Sequence, residues 1–280
     1  MPDAFARLLQ RLAAEGGAPR SQFSARSMQN LQSLFDSGAL CLVRRGGGFV
    51  VEVRHAETLA AFYRQRYPSA GEVLMGPPRA RAVGTLRNAK RVGRTDQEPL
   101  LVRALEPATC SRDGVDYDLQ DATVKTGAAC LLLEDGRFWT LTAQVALVEN
   151  LECFLHCEQM GVSATVALYT AGRISDLALR WIGSAEMSQC SFIHCGDYDP
   201  VGLDEYLRLK SVLGNRVRLH IPENLHHLIA TYGRHDLLRD SEAILRRLRA
   251  SPDADVRHVV TALDATGCGL EQEILLLEHA

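Results

Sequence analysis

Residues 191–204 read Ser-Phe-Ile-His-Cys-Gly-Asp-Tyr-Asp-Pro-Val-Gly-Leu-Asp, and the parsing of this stretch decides the fold. Residues 191–194 are mostly apolar and run up to Gly196, the pattern of a short buried strand. Asp197 and Asp199 follow two residues apart, and on extended backbone residues i and i+2 point to the same side. Pro200 suits the first turn of a helix, where its missing N–H costs nothing. Gly202 permits close approach of backbone or ligand. The stretch is therefore a strand, a turn bearing two carboxylates and a helix start, and open parallel sheets bind ligands at such strand ends.

Outward from this point the same texture repeats. Strands expected at 129–133, 145–148, 165–169 and 216–221 alternate with helices near 150–160, 175–183 and 201–213. That alternation predicts an α/β fold built on a parallel sheet with helices on both faces. From about residue 223 the chain reads as a helical tail.

The first part differs. Phe5, Leu8, Leu9 and Leu12 form one stripe of a helix over 3–14, and a second helix is expected over 27–35. Two β-rich runs then flank Arg44-Arg45 and three glycines, which predicts a hairpin with a basic tip. Helix, helix and hairpin in that order is a winged-helix-like module, followed by a helix over 56–67. Between Arg79 and Arg94 lie Arg81, Arg87, Lys90 and Arg91 with no acidic residue, a strip suited to DNA phosphates or else a solvated charged face. The expected division is 1–125, a winged-helix-like DNA-binding region with the basic strip, and 126–280, an α/β catalytic domain with its tail.

In 280 residues, 46% hydrophobic and 23% charged residues are an ordinary globular balance, so a core forms without disulfides. The net charge of −3 argues against indiscriminate polyanion binding by the whole surface and leaves room for a local basic face. With charged residues in the first helix and no run of about 18 apolar residues, neither a signal peptide nor a membrane span is expected, and a cytoplasmic location is. The eight cysteines include two groupings, Cys153/His156/Cys157 and Cys190/His194/Cys195. These are read as reduced core thiols, with a zinc site joining them as the other reading.

Adjacent carboxylates repel and are costly to desolvate unless a cation neutralises them, and hard oxygen donors favour Mg2+ or Mn2+. Such a site needs a third carboxylate from a neighbouring strand end, and Glu149, after the run 145–148, is the candidate. In the plainer alternative Asp197 caps the next helix and Asp199 is merely exposed. Asp204 and Glu205 read as surface residues, and Ser175 as a helix cap or a phosphate contact.

Val148-Glu149-Asn150, then Tyr169-Thr-Ala-Gly-Arg-Ile-Ser175, then Gly196-Asp-Tyr-Asp-Pro-Val-Gly202 resemble the three landmarks of the Toprim fold. The Asp-Pro-x-Gly form is similar to the group containing the topoisomerase VI A subunit and the JetD-type (MksG-like) nucleases of Wadjet plasmid defence. Gly269-Leu-Glu-Gln-Glu273 resembles the end of JetD-type chains. The resemblance implies that Glu149, Asp197 and Asp199 hold metal at a scissile phosphate, with Glu149 as ligand or general acid/base. It further implies double-stranded DNA as substrate, a homodimer and an SMC-type ATPase complex as partner. Glu271 and Glu273 read either as ligands of a second metal or as exposed helix carboxylates, and Arg173, beside the second landmark, as a phosphate contact.

Three functions follow as expectations. The first is metal-dependent DNA hydrolysis by a subunit gated by its partner, since no GxxxxGK[ST] motif supplies an ATPase. The second is tyrosine transesterification as in topoisomerase VI, for which Tyr63, Tyr67 and Tyr117 are candidates, although helix packing accounts for the first two. The third is a catalytically silent DNA-binding or assembly module. A primase-like polymerase would need a zinc-binding segment and a nucleotide-binding subdomain that the sequence does not display.

Overall fold

Ala6, Leu9 and Leu12 are fully buried along one face of α1 (Ala4–Glu15), the three-to-four-residue spacing of an amphipathic helix. A computed structural model of the chain describes residues 4–67, 75–76, 80–81 and 97–277. Two compact units, 1–96 and 97–280, divide it.

In the first unit α1 is followed by β1 (Gly17–Pro19), α2 (Ala25–Asn30), α3 (Gln32–Asp36), β2 (Leu40–Arg45), β3 (Gly48–Val53) and α4 (Ala56–Arg66). The expected helix over 27–35 is thus two short helices broken at Leu31. Ser24 caps the first by accepting from Ser27 N at 3.1 Å. The three strands form an antiparallel sheet in the order β1-β3-β2. Its hairpin turns at Gly46-Gly47, with Gly46 at φ +59°, and Arg44 and Arg45 are exposed at that tip. Leu9, Leu31, Leu40, Val51 and Leu59 close a separate small core. In the basic strip Arg81 is exposed; Arg79, Arg87, Lys90, Arg91 and Arg94 lie outside the described residues.

The second unit is a mixed α/β structure. Its strands are β4 (Gln97–Ala104), β5 (Thr109–Arg112), β6 (Val115–Asp118), β7 (Ala129–Glu134), β8 (Thr140–Leu141), β9 (Gln144–Val148), β10 (Val166–Tyr169), β11 (Ser191–Cys195) and β12 (Val217–Leu219). The main sheet has six strands in the order β12-β11-β9-β10-β4-β7, and β5, β6 and β8 form a small antiparallel sheet. Within the main sheet β12, β11, β9 and β10 are mutually parallel. β4 runs antiparallel to both β10 and β7. The sheet is therefore mixed, not wholly parallel as expected. β4 lies between β7 and β10, and the chain passes from β4 to β7 through β5, β6 and α5 (Leu119–Thr126).

The unit boundary falls between Asp96 and Gln97, not at 125. β4 pairs through Gln97–Val102 with β7 and through Val102–Ala104 with β10, so residues 97–125 belong to the sheet. Both faces of the sheet are covered. On one, Val145, Leu147, Leu168 and Phe192 pack with Trp181 and Ile182 of α7 (Asp176–Ile182) and with Leu203, Tyr206 and Leu209 of α8 (Pro200–Leu213). On the other, Ala146, Val148, Ala167 and Ile193 meet Cys153 and Phe154 of α6 (Leu151–Leu155). The tail contributes α9 (Leu225–Tyr232), α10 (His235–Arg239), α11 (Glu242–Leu248) and α12 (Ala254–Thr266). Among the described residues no helix is long and apolar enough to cross a membrane.

A fragment of residues 97–280 should fold alone with a single cooperative thermal transition by circular dichroism. A fragment of residues 126–280 lacks β4, leaves β7 and β10 without their shared partner, and should give no cooperative melt. Equal melting of the two fragments would refute this placement of β4.

Candidate functional site

β9 and β11 are neighbours in parallel register, with Cys195 opposite Val148. The residues just beyond them, Glu149 and Gly196–Asp199, therefore share one end of the sheet. Glu149 N donates to Cys195 O at 3.2 Å, which sets the two turns side by side. Tyr198 points into the core, 1% exposed, so Asp197 and Asp199 point the other way, as the i, i+2 spacing predicts.

Asp199 is the N-cap of α8: its Oδ1 accepts from Gly202 N at 2.8 Å, and Pro200 occupies the first turn. The capping residue is thus Asp199, not Asp197, and it is 7% exposed. Gly202 is required by contact: a Cβ there would lie 2.2 Å from the Asp197 carbonyl oxygen. A Cβ at Gly196 would meet His194 Nε2 at 2.6 Å and Glu149 Oε1 at 3.0 Å.

The tail completes the site. Tyr198 and Leu270 exchange backbone hydrogen bonds at 2.9 and 3.0 Å. Gln272 N then donates to Asp197 Oδ1 at 2.9 Å. Glu271 Oε1 accepts from Arg234 Nη1 at 2.7 Å, and Glu273 Oε1 accepts from Asn150 Nδ2. Asn150 also caps α6, its Oδ1 accepting from Glu152 N at 2.7 Å.

Electrostatics follow from this crowding. Burial, then the charges of Asp197, Glu205 and Asp199, push the Glu149 carboxyl up to about 8, while Arg173 opposes the shift. Burial pushes Asp197 up to about 6 despite its bond from Gln272, with Asp199, Glu273 and Glu271 adding to the rise. Asp199 is also raised, by burial first, against the pull of its helix-cap bonds. Glu149 Oε1 is buried without a hydrogen-bond partner, 3.6 Å from His194 Nε2. Burial lowers His194 to about 4, so that imidazole is neutral at ordinary pH.

Glu149, Asp197 and Asp199 thus lie at adjoining strand ends, and the tail brings Glu271 and Glu273 into their surroundings, bonded to Arg234 and Asn150. Their hard oxygen donors, mutual repulsion and the orphaned Glu149 oxygen suit a divalent cation. As the side chains are placed, however, no group of three or more His, Cys, Asp or Glu among the described residues converges on one point that could hold an ion. One oxygen each of Asp197 and Asp199 accepts from a backbone N–H, which leaves the second oxygen of each for an ion.

Other candidates lie elsewhere or have other roles. Cys153, Cys157, Cys190 and Cys195 are buried thiols, and burial raises Cys153 to about 12 and Cys157 to about 11. Ser175 caps α7, accepting from Ala178 N at 3.0 Å. Tyr67 is buried and its ring lies 5.2 Å from that of Tyr63, whose hydroxyl accepts from Gln10 Nε2 at 2.8 Å. Tyr117, in β6, is exposed, its ring tilted 45° to that of Trp139 with centroids 6.1 Å apart. Glu205, read from sequence as a surface residue, is 3% exposed and ion-paired. That correction follows from its helical position, three residues past Gly202 on the buried side of α8. Sequence reasoning also missed Gln272, whose contribution is a backbone N–H and has no side-chain signature.

The shifted carboxyl has a measurable consequence. An acid raised in the folded state keeps a proton that the unfolded chain releases near 4.5, so folding stability falls as pH rises from there through about 8. In EDTA, Glu149→Gln should therefore melt higher than wild type at pH 8.5, with the gap closing toward pH 4.5. Parallel melting profiles for the two proteins across that range would discard the buried, protonated Glu149.

No curated protein matches the chain. A family model described as Wadjet protein JetD, C-terminal, matches residues 96–280, which is the second structural unit almost to the residue. Through this unit, with its strand-end carboxylates, the chain belongs to the JetD family of Wadjet proteins.

Proposed function

We propose that the chain is the metal-dependent DNA endonuclease subunit of a Wadjet-type defence complex, with a Toprim-like site of Glu149, Asp197 and Asp199. The observation that carries this reading is the desolvated, mutually repelling carboxylate set at adjacent parallel strand ends. Such a set is unfavourable without a partner cation, and a protein that only bound DNA would gain nothing by turning acids toward phosphate. Membership of the JetD family supports the defence-complex assignment and an SMC-type ATPase as partner.

Glu149, Asp197 and Asp199 would hold Mg2+ or Mn2+, with Glu271 and Glu273 close enough to assist. Bound there, the ion supplies charge neutralisation at the phosphate and an activated water. Without metal, burial and the neighbouring acids hold the Glu149 carboxyl up to about 8; a bound cation would favour its ionised form, so that it would serve as ligand or as general base. A recess of about 570 Å3 opens beside it, lined by Asn150, Leu151, Leu155 and Tyr169, and would be the way in for a strand. The winged-helix-like first unit, with Arg44 and Arg45 on its hairpin tip, would supply phosphate contacts, as would the basic strip. A homodimer would bring two such sites to the two strands.

One observation favours a second reading, a silent DNA-binding or assembly module: no three ligands converge as placed among the described residues. Metal binding distinguishes the two without any cleavage. At pH 8, millimolar Mn2+ should raise the melting temperature of wild type by several degrees, because a ligand that binds only the folded state stabilises it. Asp197→Ala should show little or no shift, and an equal shift in both proteins would place the metal elsewhere.

Activity is tested with supercoiled plasmid and Mg2+ or Mn2+. Wild type should give nicked or linear product that EDTA abolishes and Asp197→Ala does not make. Product ends carrying covalently bound protein would transfer the chemistry to a tyrosine. Neither cleavage nor a metal-dependent melting shift in wild type would leave the silent module standing.

A further inference from the structure

The loop after β10 is built in a way that the carboxylate site alone does not explain. Ala171 is a non-glycine residue at φ +55°, followed by Gly172 at φ +82°. L-residues rarely occupy this region, and they persist there only where surroundings over-determine the backbone, which happens most often at functional sites. Here the ties are visible. Thr170 N donates to Val148 O at 2.9 Å, and Gly172 N donates to Glu149 O at 3.0 Å. Thr170 Oγ1 donates to Gly172 O at 2.7 Å. One side of the loop is thus laced to the backbone of Glu149 itself.

The other side is tied to Glu205. Its Oε1 accepts from Ile174 N at 3.2 Å and from Arg208 Nη1 at 2.6 Å. Its Oε2 lies 2.6 Å from Arg173 Nε. A glutamate is almost never this buried unless paired, and Glu205 has two arginines on it. The two guanidiniums are not equivalent. Arg208 is mostly covered, at 22% exposure, and its Nη1 also donates to Ile174 O at 3.0 Å. Arg173 is 55% exposed, and its other contact, Asp204 Oδ2, is at 3.5 Å. Arg208 therefore secures Glu205 in the fold through hydrogen bonds, while Glu205 Oε2, which accepts no hydrogen bond, holds Arg173 by charge contact alone and leaves its guanidinium open to solvent.

That arginine directly follows Gly172, whose N–H is bonded to the Glu149 carbonyl at 3.0 Å, so its chain position is fixed beside the acids. It is the cation that opposes the upward shift of Glu149, against Asp197, Asp199 and Glu205. An acidic strand end repels phosphate, so a fixed positive group beside it has a specific use.

Resting on the nuclease reading, we propose that Glu205 is a positioning residue that holds Arg173 beside Glu149, where the guanidinium contacts a non-bridging oxygen of the scissile phosphate. Arg173 is then a catalytic residue for phosphodiester cleavage, distinct from the arginines that bind the duplex generally. A fork of fixed N–H donors suits a phosphate better than a mobile lysine does.

The test is a double-mutant cycle on the full chain, reading the nicking rate of supercoiled plasmid in Mn2+ with enzyme in excess. Arg173→Ala should lower the rate on the order of 100-fold, the typical loss for one preorganised charge-stabilising donor. Glu205→Gln should lower it about tenfold, as for the outer partner of a catalytic group. The double variant should be no slower than Arg173→Ala alone, because Glu205 acts through Arg173. Losses that multiply would mean that Glu205 acts through the fold independently, and would overturn the proposal, as would wild-type rates in Arg173→Ala. Glu205→Asp, charged but shorter, repeats the cycle should Glu205→Gln melt early. A second readout needs no cleavage: for a short duplex in Ca2+, Arg173→Ala should make the dependence of log affinity on log salt shallower by about 0.9. An unchanged slope removes the phosphate contact. Wild type that neither nicks plasmid nor binds duplex defeats the nuclease reading first, and this inference falls with it.

Discussion

Carboxylates brought together out of water repel one another, and most of the second unit can be understood as the framework that forces them together. The order β11-β9 in the sheet places Glu149 against the Gly196–Asp199 turn. The turn can be this tight only because α8 begins with Pro200 and passes Gly202 directly over the Asp197 carbonyl. The tail then adds Gly269, where a Cβ would come within 3.1 Å of Asp199 Cβ, and the Gln272 N–H bonded to Asp197. Three glycines thus mark the three places where backbone replaces side chain around the acids. Packing makes the electrostatic cost unavoidable, and the raised carboxyls of Glu149, Asp197 and Asp199 register it.

Competing effects act on the same groups, and their outcome is informative. Asp199 sits at a helix N-terminus with backbone N–H groups aimed at it, an arrangement that by itself favours the anion. Its carboxyl is nevertheless raised, so burial outweighs the helix end. At Asp197 a backbone bond is likewise outweighed by burial and neighbouring acids. Arg234 and Asn150 hold Glu271 and Glu273 to the side, so those two acids add field without taking the central position. The first unit has its own core, and the JetD family match does not extend into it.

Legibility in the sequence followed locality. Strands 145–148 and 191–194, the helix beginning at Pro200 and the triad Glu149, Asp197 and Asp199 announce themselves through apolar runs, proline, glycine and acidic residues close together in the chain. β4 does not, because Pro99 argues against a central strand. The structure resolves that conflict: Pro99 pairs only toward Leu132 of β7, while β10 reaches no further along β4 than Val102. The missing N–H therefore falls where β10 does not pair. Glu205 was misread for a related reason. An acidic residue three places beyond a functional motif looks solvated until Arg208, one turn along the helix, and Arg173, 32 residues earlier, are seen to meet it. Gln272 works through its main chain, which no residue type encodes.

The position of β4 also imposes an order on biogenesis. It leaves the ribosome before every other strand of the main sheet, carrying Leu100, Leu101 and Val102. Its first partner, β7, follows after the β5–β6 hairpin and one short helix, so an antiparallel ribbon can close early. The far side of that ribbon stays unpaired until β10 has been synthesised, and β9 and β11 can assemble the acidic strand ends only after that. Until then the nascent chain displays an apolar edge to its neighbours, the kind of surface that chaperones recognise and that crowded polysomes penalise. A sheet that inserts its earliest strand next to a much later one gains a rigid frame for its acids and, in exchange, an interval of vulnerability during translation.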